Sequence, residues 1–145
     1  MQPTPALCLY LALGFALASG VLCVAADRYP VLLRTVSFVL LGVSGGAALA
    51  ACLLVLTGAD PFTVELPLGL PWLHWHLRLD SLSAFFLGII GLGTLAISLF
   101  GPGYVRTYLN GDYSLAVLGL MTGLFIAGMQ LVVVADDAFV FMVAW

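Results

Sequence analysis

Long uncharged, apolar stretches alternate with short polar punctuation along this chain, and the spacing of that punctuation predicts the elements. Between Asp80 and Arg106 there is no charged side chain, so Leu82 to Phe100 supplies about 19 residues that can cross roughly 30 Å of hydrocarbon as a helix. Comparable stretches cover about 5–26, 35–56 and 113–135, and residues 138–145 begin another. Asp27-Arg28-Tyr29-Pro30 separates the first two, with Pro30 as a helix stop. Gly101-Pro102-Gly103 closes the third at about residue 101, and Asp136-Asp137 closes the fourth, because neither charge nor unpaired backbone is tolerated in lipid. The first stretch reads as a retained span and not a cleaved signal peptide, since no Lys or Arg precedes it and it is longer than an h-region.

The one long connection, residues 57–79, has a different period. Pro61, Pro67, Gly69 and Pro71 exclude a helix, while Phe62, Val64 and Leu66 alternate with Thr63 and Glu65. Beyond the Pro/Gly turn, Leu73, Trp75, Leu77 and Leu79 alternate with His74, His76 and Arg78. A period of two on both sides of a turn predicts a β-hairpin over about 61–79. Its apolar edge and its two tryptophans, Trp72 and Trp75, are expected at headgroup level or against a neighbouring subunit. The predicted fold class is all-α integral membrane: four complete transmembrane helices, the start of a fifth, and a β-hairpin between helices 2 and 3.

Composition agrees. The chain is 63% hydrophobic and 8% charged, against roughly 45–50% and 25% in soluble domains, so the lipid bilayer is one of its partners. The net charge of -3 says little, because seven acids and four arginines are nearly all confined to connections, but no basic patch exists for nucleic acid. Cys8, Cys23 and Cys52 are scattered through apolar stretches with no histidine nearby, which fits buried thiols and not a disulfide framework, zinc or an iron–sulfur cluster. His74 and His76 face the same way on a strand, but only Asp80 and Glu65 stand near enough in sequence to complete a metal shell. They are read as solvated edge residues, and no metal or cofactor ligand is expected in this chain.

Small residues spaced by four, Gly14 with Ala18 and Gly42 with Gly46, are expected to mark helix contact faces. In the fourth stretch Gly119, Gly123 and Ala127 form such a face, and Gln130 returns to within roughly 20° of Gly123. Its amide therefore points at another helix, as an interhelical hydrogen bond or as a polar station beside a water-filled path. Asp80, Arg106 and Asp136 mark span ends as interfacial charges. With Gln130 they are the candidates for a proton path or an interface, and no catalytic residue is expected. Arg28, Arg34 and Arg106 flank the first and third connections, so the positive-inside rule places those in the cytoplasm of a multi-pass cell-membrane protein. The amino terminus and residues 57–79 then lie outside.

The phrases LRLDSLSAFF (Leu77 to Phe86), FGPGYVRTY (Phe100 to Tyr108) and LFIAGMQLVVVADDAFVFMVAW (Leu124 to Trp145) resemble the antiporter-like membrane subunits. That family is shared by respiratory complex I, Mrp-type cation/proton antiporters and membrane-bound group 4 hydrogenases. SLSAFF and GPGYV are most similar to its hydrogenase 4 and formate hydrogenlyase branch. The resemblance implies the N-terminal part of a larger proton-translocating subunit that couples electron transfer in partner subunits, from NADH, hydrogen or formate, to proton movement. It places NADH, quinone, iron–sulfur clusters or a nickel–iron centre in those redox partners. It also implies that a glutamate follows the tryptophan aligned with Trp145 and that lysines lie in later helices. Those proton-carrying groups would all fall beyond the last residue here. In the family a hairpin in this connection helps chain adjacent subunits. Asp137 stands where the family more often has asparagine, and Gln130 where it usually has an apolar residue. No charge-carrying side chain lies inside the four complete stretches, as suits a chain that is not by itself an ion conduit. Two other readings stay open: a non-catalytic membrane assembly or scaffold protein, and a free-standing Mrp-type antiporter subunit.

Overall fold

The structure, a computed structural model, describes residues 4–25, 30–70, 73–106 and 114–145. The Asp27-Arg28-Tyr29 connection, Pro71 and Trp72, the connection after Arg106 as far as Tyr113, and the Arg34 side chain lie outside the described residues. The element order is α1 (Pro5–Ala25), α2 (Pro30–Leu56), β1 (Phe62–Leu70), β2 (Leu73–Leu79), α3 (Ser81–Arg106), α4 (Leu115–Val134) and α5 (Ala138–Ala144). Helices α1 to α4 are long and apolar enough to cross a membrane, over Pro5–Ala25, Thr35–Leu56, Ser81–Arg106 and Leu115–Val134. The fold is a helical membrane bundle with a two-stranded antiparallel hairpin between α2 and α3.

Two prolines act differently from expectation. Pro30 opens α2 instead of stopping a helix; at the first helical position its missing N–H would have had no intrahelical partner anyway. The helix α3 does not end at Gly101-Pro102-Gly103 but runs through Pro102 to Arg106. Pro102 removes one helical hydrogen bond, yet burial of Val105 ties down the last turn. Gly101 is where the Phe38 ring of α2 lies against the α3 backbone, in space that a Cβ would occupy.

α2 packs along α1 and along α3, and α1 packs along α4, while α3 and α4 meet only lightly. Two glycine crossings fix this arc. A Cβ on Gly45 would stand 2.8 Å from the carbonyl oxygen of Gly91, and one on Gly91 would stand 2.9 Å from that of Gly45. Where α1 meets α4, a Cβ on Gly123 would stand 2.7 Å from the Ala16 oxygen and 2.8 Å from the Gly20 nitrogen. Backbone thus rests on backbone, the contact that holds helices together in lipid. The expected faces need correcting by a residue or two. Gly14 and Gly46 are exposed with open space above them, and the working positions are Ala12, Ala16 and Gly20 on α1 and Ser44, Gly45 and Ala48 on α2. Gly42 does approach α3, near Ser98.

The hairpin pairs Phe62 with Leu79, Val64 with Leu77 and Leu66 with Trp75 on one face, and Thr63 with Arg78 and Glu65 with His76 on the other. Leu77 and Leu79 are 1% and 0% exposed, inside the core formed with Leu9, Ala12, Val55, Leu87 and Val134. Phe62, Val64, Leu66 and Trp75 pack on the same core. The apolar face therefore closes this chain's own bundle, contrary to the expected place at headgroup level or against a neighbour. The ends of α2 and α3 offer Val55, Ala84 and Leu87 directly beneath it.

Candidate functional site

The candidate polar residues among the described part of the chain fall in two places, one beside the hairpin and one around the buried Gln130; apart from both, Cys23 Sγ and Ser37 Oγ join α1 to α2 at 2.7 Å. Strand alternation puts His76 and Arg78 on the face of β2 away from the core. The end of α4 comes up beside that strand, with Leu77 bridged to Ala135. One residue on, the Asp136 N–H donates to the His76 carbonyl at 3.0 Å, and the His76 N–H donates to Asp137 Oδ2 at 3.0 Å. Asp137 Oδ1 accepts from the Val140 N–H at 2.8 Å and so caps α5. One carboxylate thus holds a strand with one oxygen and a helix start with the other.

Side chains reinforce this clasp. Arg78 reaches Asp136 through both Nε and Nη2, each at 3.0 Å, the two-pronged geometry that makes a guanidinium–carboxylate pair directional. His76 lies between two carboxylates, with Nε2 3.3 Å from Glu65 Oε1 and Nδ1 3.6 Å from Asp137 Oδ2. Asp80 caps α3, its Oδ1 accepting from the Ser83 N–H at 2.8 Å. That bond, above all, holds the Asp80 carboxyl below the usual carboxylate range, against the opposing pull of desolvation. The Asp137 carboxyl is held low in the same way, first by the Val140 N–H and next, against desolvation, by the His76 N–H. Arg106 is exposed in the last turn of α3, where its charge suits the helix dipole. Among the described residues no three His, Cys, Asp or Glu side chains gather into a metal-binding group; His74 is exposed at the strand position paired with Gly69.

The second place joins three helices. Gln130 is fully buried, and its Nε2 donates to Ser44 Oγ at 3.1 Å. Ser44, also fully buried, donates its hydroxyl to the Ala12 carbonyl oxygen at 2.7 Å. The small face of α4, with Gly123 and Ala127 buried, brings the amide close enough to cross to α2, and the chain of bonds ends on α1. Sequence reading did not find Ser44. The available signal was its place in α2 within one turn of Leu41, Gly45 and Ala48, a stripe that faces inward. A double-mutant cycle of Gln130→Leu and Ser44→Ala, read by thermal unfolding in detergent, is expected to show a coupling of about 0.5–2 kcal/mol. Additive effects would mean that the two side chains act separately.

The gap left where α3 and α4 meet lightly is an apolar groove of about 1110 Å³, lined by residues that include Phe38, Leu41, Ile97, Phe125 and Met129. Ser19, Ser37, Tyr104 and Thr122 are the hydroxyl-bearing residues of its lining. Of the four candidates read from sequence, the structure brings Asp136 and Asp80 to the hairpin end, leaves Arg106 at the opposite end of α3, and buries Gln130 between them.

No family model matches the chain. Over 67 residues, 46% of its length, it is 42% identical to Hydrogenase-4 component B of Escherichia coli (strain K12). The matched segment spans 10% of that relative, so this chain corresponds to a small part of the relative's length.

Proposed function

We propose that the chain supplies the hairpin-bearing helices of an antiporter-like membrane subunit in a hydrogenase-like complex, whose partner subunits carry out redox chemistry coupled to proton movement across the membrane. The observation that carries this reading is the 42% identity over 67 residues to Hydrogenase-4 component B, on a helical bundle of membrane-spanning length. NADH, quinone, iron–sulfur clusters or a nickel–iron centre belong, in this reading, to the partner subunits. These helices contribute packing, the clasp and the buried Gln130–Ser44–Ala12 link. Transfer of a charge through the bilayer needs ionisable groups at mid-depth, and those are assigned to other parts of the complex.

The test is purification. A tagged chain extracted from its native membranes in mild detergent is expected to bring redox subunits with it through size-exclusion chromatography. Migration free of any redox subunit, under conditions that keep other membrane complexes intact, would favour a free-standing antiporter. We place the hairpin on the outer face of the cell membrane. After removal of Cys8, Cys23 and Cys52, a Gly69→Cys chain is expected to react with an impermeant thiol reagent in intact cells. Labelling only after lysis would invert the topology.

A further inference from the structure

Both ring nitrogens of His76 face carboxylate oxygens. Nε2 lies 3.3 Å from Glu65 Oε1 on β1, and Nδ1 lies 3.6 Å from Asp137 Oδ2 in the turn between α4 and α5. The strand register sets the first contact, since Glu65 and His76 stand directly opposite each other on the outer face of the hairpin. Backbone bonds set the second: the His76 N–H donates to Asp137 Oδ2 at 3.0 Å, and the Asp136 N–H donates to the His76 carbonyl at 3.0 Å. Neither the register nor these bonds depend on the charge of the ring. The imidazole is therefore held between two acidic groups whether or not it carries a second proton.

An ionised carboxylate can only accept hydrogen bonds. Neutral imidazole has one N–H and one bare lone pair, so in this position it turns a lone pair toward one carboxylate or the other, whereas imidazolium presents an N–H to each. The other charges beside the ring are already engaged or point elsewhere. Arg78, two residues along β2, is held through Nε and Nη2 by Asp136, Asp80 caps α3 through the Ser83 N–H, and His74 is exposed at the position paired with Gly69. We propose that His76 is a pH-sensitive lock on the hairpin, drawing β1 and the turn before α5 together when protonated and releasing that grip when neutral. Imidazole is the side chain that ordinarily changes charge between about pH 5 and pH 8. Closure sets two negative charges beside the ring, so closure and proton uptake favour each other; the grip is present at the acid end of that range and lost as pH rises through it. Its size is bounded by water, because the His76 side chain is 40% and that of Glu65 73% exposed, so the lock shifts the clasp by a few-fold and does not open it outright. The lock belongs to the seating of the hairpin and does not depend on what the assembled complex transports.

Hydrogen exchange of the full chain in detergent, expressed as protection factors so that the intrinsic pH dependence of exchange cancels, reads the clasp at the His76 and Asp136 amides. Between about pH 5.5 and pH 8 both are expected to lose protection by about two- to fivefold. His76→Gln, which cannot ionise, is expected to abolish that step, while His74→Gln, which removes the exposed histidine, is expected to leave it in place. Glu65→Gln, which takes away one of the two carboxylates at a largely exposed side chain, is expected to reduce the step by about half or more. Should His76→Gln fail to fold, Glu65→Gln decides. No step in the unmodified chain, or a step in His76→Gln or Glu65→Gln as large as in the unmodified chain, overturns the proposal.

Discussion

Gly123→Val is expected to prevent α1 and α4 from packing, and Gly45→Val to do the same to α2 and α3. The atoms nearest a new Cβ at Gly123 are the Ala16 oxygen at 2.7 Å and the Gly20 nitrogen at 2.8 Å. Both belong to the backbone of α1, so no flexible side chain can give way and the helices must separate. At Gly45 the obstacle is again backbone, the Gly91 oxygen at 2.8 Å. Overpacking of this kind costs about 1–3 kcal/mol, and valine's branched methyls push further than the Cβ. In lipid the lost close approach is the attraction itself, with no gain from expelling water to offset it. Gly14→Ala and Gly46→Ala are expected to act in the opposite direction. Open space surrounds both positions, so alanine adds helix propensity of up to about 1 kcal/mol without a clash. Circular dichroism melts in detergent should separate the two pairs, the valine variants melting at least about 5 °C lower and the alanine variants no lower than the parent. Equal losses at Gly14 and Gly123 would mean that the helix faces have been misassigned.

Those four glycines show how far the sequence could be read. The spans are legible because charge is excluded from hydrocarbon, and Asp80 and Asp136 do stand at helix ends. Which face of a span is used is much less legible. α2 carries Gly42, Ser44, Gly45, Gly46, Ala47 and Ala48 in one run, so a spacing of four can be found on several adjacent faces, and only the neighbouring helix selects Gly45 over Gly46. The hairpin is legible from its period of two, but a period says which residues share a face, not what covers that face. Leu77 and Leu79 look alike in sequence whether they meet lipid headgroups, another subunit or, as here, the chain's own helix ends. The partners of the polar residues were beyond reach for a simpler reason. Ser44 and Gln130 are 86 residues apart, and Arg78 and Asp136 are 58 apart. Charges that flank apolar runs look like interfacial markers until the fold shows that two of them grip each other.

Asp137→Ala is expected to loosen the hairpin from the helix ends more than any other single change in the clasp. It removes the cap of α5, worth about 0.5–2 kcal/mol, and leaves the His76 N–H without its acceptor, at about 1–3 kcal/mol if no water replaces it. Arg78→Ala removes a pair whose partners are 51% and 28% exposed, and such a pair contributes about 0–1 kcal/mol. The same carboxylate sets a direction for acid. Asp137 is held low in the folded chain because Val140 and His76 N–H groups bond its charged form, whereas an unfolded aspartate titrates at about 3.9. Its contribution is therefore fully present above roughly pH 4 and is lost as pH falls through the lowered folded value. Asp80, held low by the Ser83 N–H, follows the same course, so acid weakens the first turn of α3 together with the clasp. Hydrogen exchange, expressed as protection factors, is expected to show β2 and the first turn of α5 losing about tenfold in Asp137→Ala at neutral pH. Asp137→Asn keeps an acceptor oxygen but no charge. It is expected to lie between the parent and Asp137→Ala and to show a smaller loss between pH 5 and pH 3. If Asp137→Ala leaves β2 as protected as before, burial of Leu77 and Leu79 alone seats the hairpin, and the carboxylate serves only to start α5.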